Sequence, residues 1–322
     1  MNIIVNNEEE TVSNVCDIIF REKLNQIPLK NFNILTSDKN QLKGKDNAEI
    51  LWIKHDLFFR RYLQKRGFIT LPERISMVFD TSTIHQDIFE ELPGTISCDI
   101  SKSIRMGYSY EFIENDEEKL MKFYKEMYVP YVKWKYGDTA KIATYTLLKH
   151  LYSQNGHILF IKQNEEYIFG GVFTVEKKTI TTRYAGIMKD RYDHVKNGIM
   201  SLSYYQLIRW AHEHNIRSID FGTARPFLND GLLTFKRKWN MKLTSSDPSL
   251  AGIYALKIYK TTPAVTSFLE NNPCIIYNKN KEFEAYIFKD TEKTTRETKK
   301  MENIQGLHAI KYIHPKNLID SA

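Results

Sequence analysis

"LSYYQLIRWAHEHNIRSIDFGTARPFLNDGLLTFKRKWN", residues 202–240, decides how this chain is read. Met200, Tyr204, Leu207, Ile208 and Ala211 fall on one side of a helix expected from about Gly198 to His214. Ser218 to Phe221 reads as a short strand packed beside it, and Gly222 permits a turn. From Leu232 to Trp239 a short helix sets Leu232, Phe235 and Trp239 on one face with Lys236 at its edge. Three consecutive cations, Lys236, Arg237 and Lys238, therefore stand one loop beyond the end of a core strand.

Working outward, three strands precede this stretch: His157 to Gln163, Tyr167 to Glu176 and Thr179 to Met188. Asn164-Glu165 and Lys177-Lys178 are polar enough for hairpin turns, so the three predict an antiparallel meander. Gly170-Gly171 inside the second marks a bulge or a close backbone approach. Further upstream, Leu120, Phe123, Tyr124, Met127, Tyr128 and Tyr131 form the stripe of a core-facing helix. Asn115 or Asp116 can cap it, and Pro130 should kink or end it. A second helix is expected from Thr139 to Ser153. Asp99 to Met106 predicts a one- or two-turn helix stopped by Gly107, and Tyr108 to Ile113 a strand. The order from residue 108 is strand, two helices, three-strand meander, helix, strand, helix, strand. That predicts an α/β (α+β) fold with a mixed, mostly antiparallel sheet flanked by helices.

The first portion reads as a smaller α/β unit. Strands are expected at 32–36, 49–53 and Ile75 to Phe79, with short helices at Leu57 to Lys65 and near His85 to Leu92. Later strands are expected at Gly252 to Lys257 and Glu284 to Phe288, and the residues from about 290 read as a charged, poorly ordered tail. The expected division is 1–97, 98–289 and 290–322.

The chain has 322 residues, 42% of them hydrophobic and 26% charged, the balance of an ordinary globular protein. Its longest apolar runs, such as Ile158-Leu159-Phe160-Ile161, are strand-length, so no membrane span is expected. The first residues lack the basic start and apolar stretch of a secretory signal, which makes a cytoplasmic location the expectation. Three scattered cysteines, Cys16, Cys98 and Cys274, argue against both a disulfide framework and a Cys-rich zinc site. His212 and His214 are two apart on a helix and cannot clamp one metal together, so no metal site is expected. A net charge of +7 suits an anionic partner.

Two short motifs bear on chemistry. Asp220-Phe221-Gly222 matches the metal-binding triplet of protein kinases, but no G-x-G-x-x-G, V-A-I-K or H-R-D loop precedes it, and that reading fails. Lys196-Asn197-Gly198 opens the helix after the meander. There Asn197 can cap, and the free N–H groups and dipole of a helix start suit phosphate.

Taken together, Trp210-Ala211, Asp220-Phe221-Gly222, Gly231-Leu232 and Phe235-Lys236-Arg237-Lys238-Trp239 resemble the C-terminal signature of the FemABX-like branch of the GNAT acyltransferase superfamily. The piece "FYKEMYVPYVKWKYGDTA" (123–140) is similar to the corresponding helix of BioF2-like acetyltransferases. The resemblance covers roughly residues 97 to 260. It departs at Asn240, where the family has glycine, and it lacks the long helical-hairpin insertion of the peptidoglycan-bridge enzymes.

The resemblance implies two GNAT-like lobes and transfer of an acyl group from an acyl-CoA or acyl-carrier-protein thioester to an amine, on a small molecule or a peptide. No tightly bound cofactor is implied. Ala185, Gly186, Ile187 and Met188 would pair with the donor's pantetheine arm, and Lys196, Asn197 and Gly198 would receive its pyrophosphate. Lys236 would stabilise the oxyanion or a substrate anion, while Arg183, Arg225 and Phe235 would line the substrate. Asp220, Tyr184, His194 and His157 are the candidates for moving the amine proton. A Fem-type aminoacyl-tRNA donor is the alternative; a non-catalytic anion- or nucleic-acid-binding protein is the third reading.

Overall fold

A computed structural model describes residues 2–6, 25–29, 49–84, 88–245, 252–289 and 304–318. The strand expected at 32–36 lies outside them. The chain divides into two compact units. One comprises Met1–Ser76, Thr223–Arg237 and Leu243–Ala322; the other comprises Met77–Gly222 and Lys238–Lys242.

In the first unit, strands β1 (Asn2–Asn6), β2 (Asn25–Leu29), β3 (Ile50–Asp56) and β4 (Ile69–Pro72) belong to a five-stranded sheet with a distant segment, Gly252–Ile258. That segment lies between β3 and β4, antiparallel to both. The lobe expected from residues 1–97 alone is therefore completed from the C-terminal part of the chain, because β3 and β4 cannot satisfy each other's backbone across the gap. The expected boundary at 97 falls inside the helix Gly94–Arg105, within the second unit. Trp52 anchors the core of the first unit, stacked with Phe227 and tilted on Tyr254.

A second sheet, of order β11-β5-β10-β9-β8-β7-β6, is made by β5 (Ile75–Asp80), β6 (Tyr108–Glu114), β7 (Gly156–Gln163), β8 (Glu166–Glu176), β9 (Thr179–Ile187), β10 (Ser218–Ala224) and β11 (Lys242–Ser245), of which β6 to β9 lie wholly in the second unit. β6 through β9 run antiparallel in sequence, and β10 joins β9 in parallel. The mixed, mostly antiparallel sheet flanked by helices is thus present in the order expected. β12 is the segment Gly252–Ile258. It is followed by β13 (Cys274–Tyr277), β14 (Phe283–Phe288) and β15 (Leu307–Ile313), a three-stranded sheet of the first unit. β15 lies within the stretch expected to be a charged, poorly ordered tail: Leu307 and Ala309 to Ile313 pair in parallel with β14. Residues 290–303 and 319–322 lie outside the described residues.

Two helix expectations also change. The stripe helix begins at Glu117, capped by Asp116 whose Oδ1 accepts from Lys119 N at 2.9 Å. Pro130 does not end it. Residues Phe123–Tyr128 wind as a π-helix, and the α-helix resumes over Val129–Tyr136 with Pro130 in its first turn, where a missing N–H costs least. The second helix spans Tyr145–Tyr152 and not Thr139–Ser153, because Thr144 caps it through Oγ1 on Leu147 N. Among the described residues, no helix is long and apolar enough to cross a membrane.

Candidate active site

The second unit brings together the residues around β9. On its β8 side, Gly170 faces Gly186. A side chain at Gly186 would stand 2.6 Å from the backbone of Met127 and Tyr128, and one at Gly170 would stand 2.5 Å from the Phe123 ring. The close approach expected at Gly170-Gly171 is therefore the seat of the π-helical segment on the sheet. On its other side, β9 pairs with β10 only over Thr179–Thr181 against Ser218–Asp220, among the described residues. Beyond that point β9 runs on to Ile187, and alternate residues of Thr182–Ile187 turn their N–H and C=O groups away from β8. The two parallel strands part, leaving an edge within Thr182–Ile187 whose outward-turned alternate residues β10 does not pair.

Two titratable candidates share one face of this splayed pair. Tyr184 packs its ring 5.1 Å from that of Tyr128. Phe221 stacks at 4.2 Å on Tyr204 of the helix Ile199–Glu213, so Asp220 beside it points to the opposite face, the one that carries Tyr128. Burial pushes the Tyr184 phenol up, with nearby Arg183 pulling it partly back. Asp220 Oδ1 accepts from Gly222 N at 2.8 Å, and its carbonyl accepts from Thr182 Oγ1 at 3.2 Å. Gly222 has φ +76° within β10, so the Asp-Phe-Gly triplet is a side-chain-closed kink that only glycine completes without strain; the strand expected to end at Phe221 runs on to Ala224.

The other two proton-transfer candidates lie elsewhere. His157 stacks on Phe173 at 5.1 Å and sits 5.2 Å from Trp210, on the face opposite Tyr184, with Glu114 Oε1 3.1 Å from its Nδ1. His194 is buried, its Nδ1 against the Tyr108 hydroxyl. Burial pushes that phenol up, and a hydrogen bond with Asn197 works against the shift.

Burial is also the main cause that holds His157 below its ordinary value of 6.5; His214 adds to it and Glu114 opposes it. With the folded value below the unfolded one, the unfolded chain binds the extra proton more readily. Stability is therefore full above pH 6.5 and falls as the pH drops from there towards the folded value. His157→Gln should flatten this part of the pH dependence of the melting temperature. An unchanged acid slope would remove His157 as its source.

At the helix start, Gly198 and not Asn197 is the N-cap. With φ +83° it turns the chain before the Asn197 side chain can reach the first turn. The surroundings are crowded by the helix Gly94–Arg105. Lys102 Nζ donates to the Lys196 carbonyl at 2.9 Å, Ser103 Oγ to the Asn197 carbonyl at 2.8 Å, and Ser201 Oγ to Asp99 Oδ2 at 3.1 Å. A side chain at Gly198 would meet the Asp99 carbonyl at 2.6 Å. None of Asp99, Lys102 and Ser103 was singled out from the sequence, since a contact with a helix about a hundred residues away leaves no local pattern.

Lys236, Arg225 and Phe235 belong to the first unit. Lys236 is 1% exposed, and its Nζ donates to the Thr223 carbonyl at 3.3 Å. Arg225 grips Asp230 through Nε at 2.7 Å and Nη2 at 2.6 Å, and Asp230 Oδ1 in turn caps the helix Gly231–Arg237 on Leu232 N and Leu233 N. Phe235 is half-buried. Arg183 is exposed, with Nε 3.0 Å from Thr174 Oγ1. Asn240 has φ +56° and so takes the left-handed turn where the resembling family carries glycine.

Neither a protein-family model nor a curated protein matches the sequence. Solved structures similar to the chain include FemX, at 12% identity over 67% of this chain and 74% of that one, with a TM-score of 0.44. Another is the C-terminal domain of a putative lysylphosphatidylglycerol synthetase from Agrobacterium fabrum, at 13% identity over 79% and 76%, TM-score 0.44. A third is a GCN5-related N-acetyltransferase from Sphaerobacter thermophilus, at 10% identity over 68% of each chain, TM-score 0.37. FemX and GNAT proteins are the groups named by the sequence resemblance.

Proposed function

We propose that the protein is an acyltransferase that moves an acyl group from an acyl-CoA or acyl-carrier thioester to an amine. The observation that carries this is the parting of β9 from β10, which leaves the backbone of Thr182–Ile187 unpaired on one side. An amide-bearing pantetheine arm can add to that edge as a strand would, with its thioester directed to the face shared by Tyr184 and Asp220. The amine nitrogen attacks the carbonyl carbon to give a tetrahedral oxyanion, and the carboxylate of Asp220 accepts the amine proton. The C–S bond then breaks, and the Tyr184 phenol, kept protonated by burial, donates to the departing sulfur. Both groups reset by exchange with water. Lys236 acts in this reading as a positioning residue: it holds Thr223, the residue that follows the Asp-Phe-Gly turn.

A second reading is favoured by the crowded helix start. Lys196, Asn197 and Gly198 are the proposed pyrophosphate contacts, and the Asp99 carbonyl already lies against Gly198. A donor whose phosphates bind away from that point, an acyl carrier protein or an aminoacyl-tRNA, fits this crowding. The deciding measurement is the thermal shift of the protein with a panel of acyl-CoAs, with an acyl carrier protein and with charged tRNA. A shift with acyl-CoA is expected. A shift with charged tRNA alone would replace the thioester by an aminoacyl ester, and no shift with any of them would sink the transferase reading.

A further inference from the structure

On the surface of the first unit, Phe58 is 89% exposed. It sits in the 3-10 turn Leu57–Phe59 that runs directly into the helix Arg60–Lys65. The inner face of that helix is fixed. Leu63 is fully buried, and Arg60 donates to the carbonyls of Asn278 and Lys279, the latter at 3.2 Å. Gln64 donates to the Tyr277 carbonyl at 2.7 Å. The outer face carries Phe58, Arg61, Tyr62 and Lys65 at the three- and four-residue spacing that puts side chains on one side. Arg66 extends it, with its guanidinium 4.4 Å above the Tyr62 ring. Arg61, Lys65 and Arg66 are all exposed, and Asp56 is the one carboxylate on the stretch from residue 55 to 66. Lys257 ties the far end down by donating to the Arg66 carbonyl at 2.8 Å.

An aromatic side chain standing this clear of a rigid support gains nothing from the fold it belongs to, since water covers most of its surface. Leu57 and Phe59 flank it, half-buried, and the Phe59 ring meets it edge-on at 5.5 Å. The patch is an apolar tip inside a collar of cations, with no uncharged hydrogen-bonding side chain on its outer face other than the Tyr62 hydroxyl. That combination suits a surface that is apolar at depth and anionic at its rim, as an anionic phospholipid headgroup layer is.

We propose that the Phe58 face is a docking site for anionic phospholipid membranes. Phe58 enters the interface between headgroups and acyl chains, and Arg61, Lys65 and Arg66 contact lipid phosphates. A nucleic acid would draw on the same cations, but it has no use for an apolar tip that projects past them. The site is independent of the acyl-transfer reading.

The test is co-sedimentation of the full chain with vesicles of phosphatidylglycerol mixed with phosphatidylcholine, against vesicles of phosphatidylcholine alone. Binding is expected to the anionic vesicles only. It should weaken about fivefold for each unit of positive charge lost, so about twenty-five-fold for each of Arg61→Glu, Lys65→Glu and Arg66→Glu, and should weaken as salt rises. Phe58→Ser, at a position with almost no packing to lose, should weaken it about tenfold. Failure to bind any vesicle overturns the proposal, as does binding that survives both Phe58→Ser and the triple charge reversal unchanged. Retention on single-stranded RNA but not on vesicles would overturn it in favour of a nucleic-acid surface.

Discussion

Gly186→Ala should destabilise the second unit by about 3 kcal/mol or more, a large share of the total stability of a domain. The added Cβ would lie 2.6 Å from the Met127 carbonyl carbon and the Tyr128 amide nitrogen, and 2.7 Å from the Met127 carbonyl oxygen. These are backbone atoms of a helix pinned by its own core: Leu120, Phe123 and Met127 are fully buried, and the Tyr128 hydroxyl accepts from Ala143 N at 3.0 Å. Relief therefore requires moving the helix off the sheet. Gly186 does not have a positive φ, so the cost is steric and not conformational. Gly171→Ala is the matched control. Its Cβ would meet only the far end of the Phe169 ring, at 3.1 Å, and that ring can give by a few tenths of an ångström. Denaturant titration of both variants should show a large drop in midpoint for the first and a small one for the second. Equal midpoints would mean that the helix is not seated on the sheet at this point.

The same pair of glycines shows where the sequence stops being legible. The two-residue turn at Lys177-Lys178 sets the register, and it would place Gly170 against Ala185. A bulge at Arg183 slips the ladder by one and brings Gly170 opposite Gly186. The meander, the aromatic stripe and the special conformation at Gly222 were readable because each is local: alternation, helical spacing and a glycine that takes φ +76°. The bulge was not, because which residue is left unpaired depends on what packs against the strand. The π-helical stretch just before Pro130 escaped for a related reason. A π-helical stretch costs hydrogen-bond geometry and is recovered only by the burial of Phe123, Met127 and Tyr128. The mingling of N- and C-terminal segments in one sheet, with β12 between β3 and β4, is a tertiary choice that no short stretch encodes.

Of the candidate site, the sequence singled out β9, Asp-Phe-Gly and Lys236 without placing them relative to one another. Alternation along the strands gives that placement. Tyr184 and Asp220 fall on one face, His157 on the other, and His194 is engaged with Tyr108. Lys236 read as a cation offered to substrate because it stands at the edge of the apolar helix face and matches the lysine of the resembling family. In the structure it is buried and its Nζ donates to the Thr223 carbonyl, a bond to a residue thirteen positions earlier that no local pattern announces.

Asp220→Asn should lower the acyl-transfer rate by about a hundredfold to ten-thousandfold, the range for removing a general base. Asparagine is the informative replacement. Its amide oxygen can still accept from Gly222 N, as Asp220 Oδ1 does at 2.8 Å, so the turn at φ +76° keeps its closing bond. What is lost is a basic oxygen on the face shared with Tyr184. Donor binding, read by thermal shift, should stay within about twofold of the unaltered protein, because the β9 edge is untouched. Tyr184→Phe should depress the rate as well and remove the alkaline limb, which burial places above the ordinary phenol value of about 10. The split matters for the mechanism. If Asp220→Asn turned over at the normal rate while Asp220→Ala lost both stability and activity, the carboxylate would be a turn-forming group and nothing more. The proton would then have to leave through another acceptor on the Tyr184 face, and the assignment of Asp220 as the base would fall.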